Sequence, residues 1–419
     1  MGGIITSMKW LENFEKLLLV FALAALLTGS VMRPLTLAEK AEAYARSVEF
    51  DYVGWILGAL GEKAAETGIN PPLHLTPQNQ VRAVEAYFAL VNQVNQLESQ
   101  IQQIYANPTV ADPASAASDL LNQQKSLQQQ VDSLALIVES VLQSQVTQVL
   151  GENGLTVGGS TIPPVLYRTT PLPKALIISP RDKIVQEANI SLLADLPLDK
   201  ITELERTIEK NLNVSALVVD IGGVGVYPTM VMQSSDLHWV TDTIAHEWTH
   251  NYLTLHPLGL NYDTSNELRT MNETTASIVG GEISTIVLER YYPDWAARLP
   301  GVLLASAQTT QATFDFRAEM HTTRVTVDAL LADGKITEAE RYMESRRQMF
   351  LTHGYTLRRL NQAYFAFYGA YADIPGGAAG EDPVGPAVRK LREQSASLAQ
   401  FLREIARMTS FTELKRAVQ

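Results

Sequence analysis

The sequence predicts an α+β fold that is mostly helical, and three observations predict it. Apolar residues recur at steps of three and four over most of the chain, the period of an amphipathic helix. Only short runs read as strands, ALIIS at 175–179 and SALVVDI at 215–221, so any sheet is small. After those strands comes a helical pattern, from about Leu237 to Leu255, that carries the pentapeptide HEWTH at His246 to His250.

At 419 residues and 46% hydrophobic content the chain can build two or three packed units rather than one small stapled module. The formal charge of -12 argues against a phosphate-binding surface, so nucleic acid is not an expected partner. Cysteine is absent, which excludes disulfides, thiolate nucleophiles and cysteine metal sites and leaves His, Asp and Glu as transition-metal ligands.

Four segments follow from composition. Residues 1–35 contain an uncharged stretch, Leu17 to Met32, between Lys16 and Arg33. At 16 residues it falls short of the ~20 that a perpendicular span needs, so a signal segment and a cleaved leader compete with an uncleaved single-pass anchor. The anchor is the preferred expectation, because a cleavage after Ser30 lacks the usual Ala-x-Ala and Trp10 suits the membrane interface. It would place a bacterial chain on the membrane with its folded part outside the cytoplasm.

Residues 36–150 form a helical region containing a hairpin. Val84, Phe88, Val91, Val94, Leu97, Ile101 and Ile104 make one apolar stripe, and Leu127, Val131, Leu134, Val138 and Val141 make another. Asn107-Pro108 and Asp112-Pro113 mark the turn between them. The outer positions are Gln, Asn and Ser, which suits a packing arm, with a helical partner at residues 80–150 as the sharper alternative.

Residues 151–290 are expected to hold the metal-binding α+β unit. Leu198 to Leu212 reads as an amphipathic helix, and VGVYPTMVM at 224–232 as a strand that Pro228 confines to a sheet edge. Ser234-Ser235-Asp236 caps the HEWTH helix. On a helix, residues four apart share a face, so His246 and His250 can chelate one ion while Glu247 stands beside it.

HExxH after a sheet edge resembles the zincin pattern, in which the edge strand binds an extended substrate by strand addition. The third ligand has two leading candidates. His256 has metzincin spacing, but Leu253 stands where that group has glycine, and a continuing helix turns His256 about 600° from His250. Asn272-Glu273-Thr274-Thr275-Ala276 matches the Asn-Glu-x-x-Ala pattern of the gluzincins, the thermolysin-like and aminopeptidase-like branch. That resemblance implies Glu273 as the third ligand, with Glu267 and Glu282 as lesser carboxylate alternatives. Ser277 replaces the Asp by which thermolysin-like enzymes orient a zinc histidine, which leaves that role to another group, such as Asp242 or backbone carbonyls.

Residues 291–419 read as helices throughout. Asn361, Tyr364, Tyr368 and Tyr371 share one face, and Arg317, His321 and Arg324 another. The gluzincin resemblance implies a downstream oxyanion donor, for which Tyr364 and Tyr371 are the candidates beside a plain core role for these tyrosines. The layout of this tail is also distantly similar to the bacterial predicted aminopeptidase group. Asp333-Gly334-Lys335 imitates half of a calcium loop, but Ala329 and Leu331 cannot ligate, so a helix-turn-helix corner is expected. The function these features imply is a membrane-anchored zinc (Zn2+) metallopeptidase acting on peptides or proteins, with a catalytically silent anchored assembly module as the alternative.

Overall fold

The structure is a computed structural model that describes residues 35–106, 110, 112–298, 314–369 and 383–419. The expected membrane segment, Leu17 to Met32, lies outside the described residues. The fold is α+β and mostly helical, with two sheets of three strands among the described residues.

Helix α1 (Leu37–Ala45) starts on a capping box in which Thr36 and Glu39 bond each other's backbone. Helix α2 (Tyr52–Ile69) starts on Asp51, whose carboxylate accepts from the Gly54 amide at 2.9 Å. The expected hairpin follows as α3 (Pro77–Ala106) and α4 (Ser118–Glu152). Val84, Phe88, Val91 and Val94 meet Val131, Val138, Val141 and Leu142 in its seam, each side chain contributing ~1.5–3 kcal/mol by burial. Helix α4 is long and apolar enough to cross a membrane by length and composition, yet half of its most apolar window is buried inside the protein.

The strands are β1 (Tyr167–Thr169), β2 (Lys174–Pro180), β3 (Ala188–Leu192), β4 (Val214–Val219), β5 (Gly223–Val224) and β6 (Thr229–Val231). Helix α5 (Leu198–Leu212) connects β3 to β4. The antiparallel sheet β3-β2-β4 is covered on one face by α1 and α5, through Leu176, Ile178, Ile190, Leu192 and Ile208. Its other face, Ala175, Ile177, Leu217 and Val219, packs on α10 (Gln362–Tyr368).

The second sheet, β1-β6-β5, corrects one expectation. The run 224–232 is not a single edge strand: Pro228 falls in the turn between β5 and β6, where no ladder bond needs its missing N–H. β6 is therefore free to be central, paired parallel to β1, and the edges are β1 and β5. β3 has no counterpart among the expected strands, because ANISL is too short and mixed to stand out from its surroundings.

Helix α6 (Leu237–Leu253), capped by Asp236, and helix α7 (Asn266–Tyr291), capped by Ser265, pack side by side. After them come α8 (Phe316–Ala332), α9 (Ile336–Thr352), α10, α11 (Val384–Gln394), α12 (Leu398–Ile405) and α13 (Phe411–Ala417). Asp333 and Gly334, the latter at φ 72°, turn the chain from α8 to α9 as a corner between helices. The largest core joins the hairpin seam to α6, α7 and α11–α13, so it draws on three of the four segments that composition separates.

Candidate metal centre

His246, Glu247 and His250 stand on α6, and Glu273 stands one turn and more into α7. Gly280 lets the two helices close on each other at this level. A Cβ there would lie 2.3 Å from Asp242 Oδ1 and 3.2 Å from His246 Cβ. Four-residue spacing on α6 sets the Nε2 atoms of His246 and His250 3.1 Å apart, and the close approach of α7 brings Glu273 to them. Glu273 Oε2 lies 3.6 Å from the first and 3.5 Å from the second. Among the described residues these three side chains are the group of His, Asp and Glu whose geometry could hold a metal ion.

Neighbouring groups hold the cluster in place. Asn272 Oδ1 accepts from His250 Nδ1 at 2.7 Å, which turns the Nε2 lone pair toward the shared centre. The Tyr262 hydroxyl donates to Glu273 Oε1. Glu273 Oε2 is left buried with no hydrogen-bond partner, facing both histidines. Burial opposes charge on His250, but the Glu273 carboxylate outweighs it and raises the imidazole pKa to about 9 in the metal-free cluster. Burial likewise opposes charge on Glu273, yet His250 and His246 hold its carboxyl far below the usual range. Glu247 is pushed the other way, up, mainly by burial.

The cluster opens into a cleft of about 400 Å³. One wall is the edge strand β5 and the residues after it. Gly223 and Gly225 are needed there, since a Cβ on Gly223 would lie 2.4 Å from Glu247 Oε1 and one on Gly225 would lie 3.3 Å from Oε2. The backbone of the edge strand thus passes directly over the Glu247 carboxylate. Tyr52, Asn189 and Ser191 line the cleft as well, with Ala175, Ile221 and Phe367.

The structure gathers His246, His250 and Glu273 and sets Glu247 beside them, in the arrangement the Asn-Glu-x-x-Ala resemblance implies. His256 is elsewhere: it follows the end of α6, stacks on Tyr252 and bonds the Tyr252 carbonyl through Nδ1 at 2.8 Å. Glu282 is held by Arg392 at 2.7 Å, and Glu267 lines a neighbouring hollow. Tyr364 is not among the lining residues of the cleft; it packs on Tyr368 and the β2-β4 face, and burial pushes its phenol up. Tyr371 lies outside the described residues. Of the Arg317, His321 and Arg324 face, none lines the cleft; Arg324 pairs with Asp328 at 2.8 Å.

Sequence reasoning missed Asn272 as the group that orients His250, although it stood in the quoted pattern. It also missed Tyr262, Tyr52, Ser191 and the closeness of Gly223 and Gly225 to Glu247. The Gly222-Gly223-x-Gly225 run upstream of the motif was the available signal, since glycine in or beside a strand marks close backbone approach. Comparison of the chain with family models, curated proteins and solved structures returned no match. The class of protein defined so far is a mostly helical α+β chain with a His-His-Glu group beneath a sheet edge.

Proposed function

We propose that this chain is a zinc-dependent metallopeptidase, and that Glu247 is its general base. The observation that carries the reading is the convergence in one cleft of three ligating side chains, a separate buried carboxylate and an open strand edge. The donors suit zinc: two imidazole nitrogens and one carboxylate oxygen, with the orphaned Glu273 Oε2 being the atom that a cation would satisfy. A zinc ion held there supplies Lewis-acid polarisation of a carbonyl oxygen.

The remaining work belongs to the protein. Glu247, largely buried in the cleft wall and raised in pKa, takes a proton from the attacking water and passes it to the leaving amine. The β5 edge offers backbone groups to an extended peptide, and Gly223 and Gly225 seat that edge against the Glu247 carboxylate. Asn272 and Tyr262 keep the ligands from rotating. Attachment to a membrane through residues 1–35, with the cleft outside the cytoplasm, completes the proposal.

The test is Glu247→Gln, which keeps shape and removes the base. Zinc content and melting temperature should hold while hydrolysis of a broad peptide library falls by ~10²–10⁴-fold. A wild-type protein that binds zinc and cleaves nothing in that library overturns the enzyme reading in favour of an anchored assembly module.

A further inference from the structure

A zinc-assisted attack on a peptide bond builds negative charge on the carbonyl oxygen, and a fixed donor facing that oxygen is commonly the largest single source of rate enhancement. The polar groups in the cleft can be sorted by what already occupies them. Asn272 is engaged by His250, Tyr262 by Glu273, and the Thr254 hydroxyl donates to the His250 carbonyl at 2.9 Å. Asn189 is exposed at the rim. What remains is a pair of hydroxyls, Tyr52 and Ser191, whose oxygens lie 2.9 Å apart.

This pair is fixed in place from both sides. Ser191 is opposite Ala175 in the β2-β3 register, so it stands on the sheet face that also contributes Ala175 to the cleft. The segment before Tyr52 is tied to the same strand: the Phe50 amide donates to the Ser191 carbonyl at 2.9 Å and the Leu193 amide to the Val48 carbonyl at 2.9 Å. Asp51 then caps α2, and the Phe50 ring packs edge-on against Tyr52 at 4.9 Å. Backbone, cap and ring contact together leave the phenol little freedom, which is what a preorganised donor requires.

We propose that Tyr52, braced by Ser191, is the hydrogen-bond donor that faces the metal ligands across the cleft and stabilises the oxyanion of the scissile peptide. The proposal rests on the metallopeptidase reading above. It makes the amino-terminal helical region part of the catalytic cleft rather than a packing arm alone. When the Ser191 hydroxyl donates to Tyr52, the phenol proton is left for substrate. Burial raises the Tyr52 phenol above its ordinary value, so it keeps that proton through neutral pH.

The experiment compares the zinc-loaded full chain with Tyr52→Phe and Ser191→Ala. Each is assayed for kcat and KM on a peptide that the wild type cleaves. Each is also titrated calorimetrically with the analogue of that peptide in which a phosphinate replaces the scissile amide, a probe of oxyanion binding that needs no turnover. Tyr52→Phe should lower kcat on the order of 10²-fold with KM little changed and weaken the phosphinate, with zinc content and melting temperature intact. Ser191→Ala should give a smaller loss of the same kind. Unchanged kcat and phosphinate affinity in Tyr52→Phe, beside an active wild type, overturns the donor role and leaves the peptidase standing. A Tyr52→Phe protein that loses zinc or melts early shows a structural role and also overturns it. A wild type that cleaves no peptide removes both readings together.

Discussion

Two helix pairs in this molecule pack against each other and share one core, yet they are built on opposite principles. In α3–α4 the seam is Val, Phe and Leu, and the polar Gln, Asn and Ser face outward over much of its length. In α6–α7 the buried positions include Glu247, Thr249, Asn272, Glu273, Thr274 and Thr275. Burying apolar area is favourable on its own. Burying carboxylates costs several kcal/mol per ion unless each finds a partner. A chain that tolerates this cost over one short stretch, while solving the packing problem cheaply next door, is marking that stretch for something other than stability.

A buried polar cluster at the hairpin sharpens the contrast. Lys63 bridges Glu66 and Glu139 at 2.6 Å each, and Gln143 donates to Glu66 at 2.7 Å while accepting from the Tyr167 amide at 3.0 Å. Glu139 also accepts from the Thr169 amide at 2.8 Å. Every member of this buried cluster has a partner within the protein, so it works as a clasp between α2, α4 and β1. At α6–α7, by contrast, Glu273 Oε2 makes no hydrogen bond and faces only the two imidazole nitrogens, at 3.5 and 3.6 Å, an arrangement that could hold a metal ion.

The largest expected effect breaks the second pair. Glu273→Ala should lose zinc under mild dialysis and with it peptide hydrolysis, whereas His256→Ala should keep both. Stoichiometric zinc retained by Glu273→Ala would refute the ligand set. Next in size, Leu142→Ala in the hairpin seam should cost ~2–5 kcal/mol in denaturant unfolding, since Leu142 is fully buried. Zinc stoichiometry of the folded fraction should stay at the wild-type value. Metal loss from this variant before it unfolds would show that the two pairs do not divide stability from ligand binding as proposed. The smallest effect concerns orientation alone: Asn272→Ala should weaken zinc affinity by ~10–100-fold, read by competition with a chromogenic chelator, with the melting temperature of the zinc-free protein nearly unchanged. An unaltered affinity would mean that His250 is oriented by something other than the 2.7 Å bond it makes to Asn272.

Much of this could be read from residue order, because the relevant physics is local. Helical periodicity placed the hairpin and put α5 at Leu198–Leu212, and Asp236 announced the start of α6. Four-residue spacing alone puts His246 and His250 on one face. What lies far apart in sequence was a different matter. Tyr364 is a candidate because it shares a helical face with Asn361, Tyr368 and Tyr371, yet spacing does not say which face a short helix turns to a sheet, and this one packs Tyr364 against the β2-β4 core. Tyr52 and Ser191 are separated by 139 residues, and no periodicity links them. Their meeting depends on a strand too short to be recognised and on two backbone bonds that tie residues 48–50 to it. The sequence by itself determined the helices, the two histidines and the nearby glutamate, since neighbours along a helix meet whatever the rest of the chain does. Only the tertiary structure decided that Glu273 rather than His256 joins them, that Asn272 and Tyr262 bond His250 and Glu273, and that the cleft takes one wall from the amino-terminal region. Those contacts form between elements, where packing sets distance and sequence separation does not.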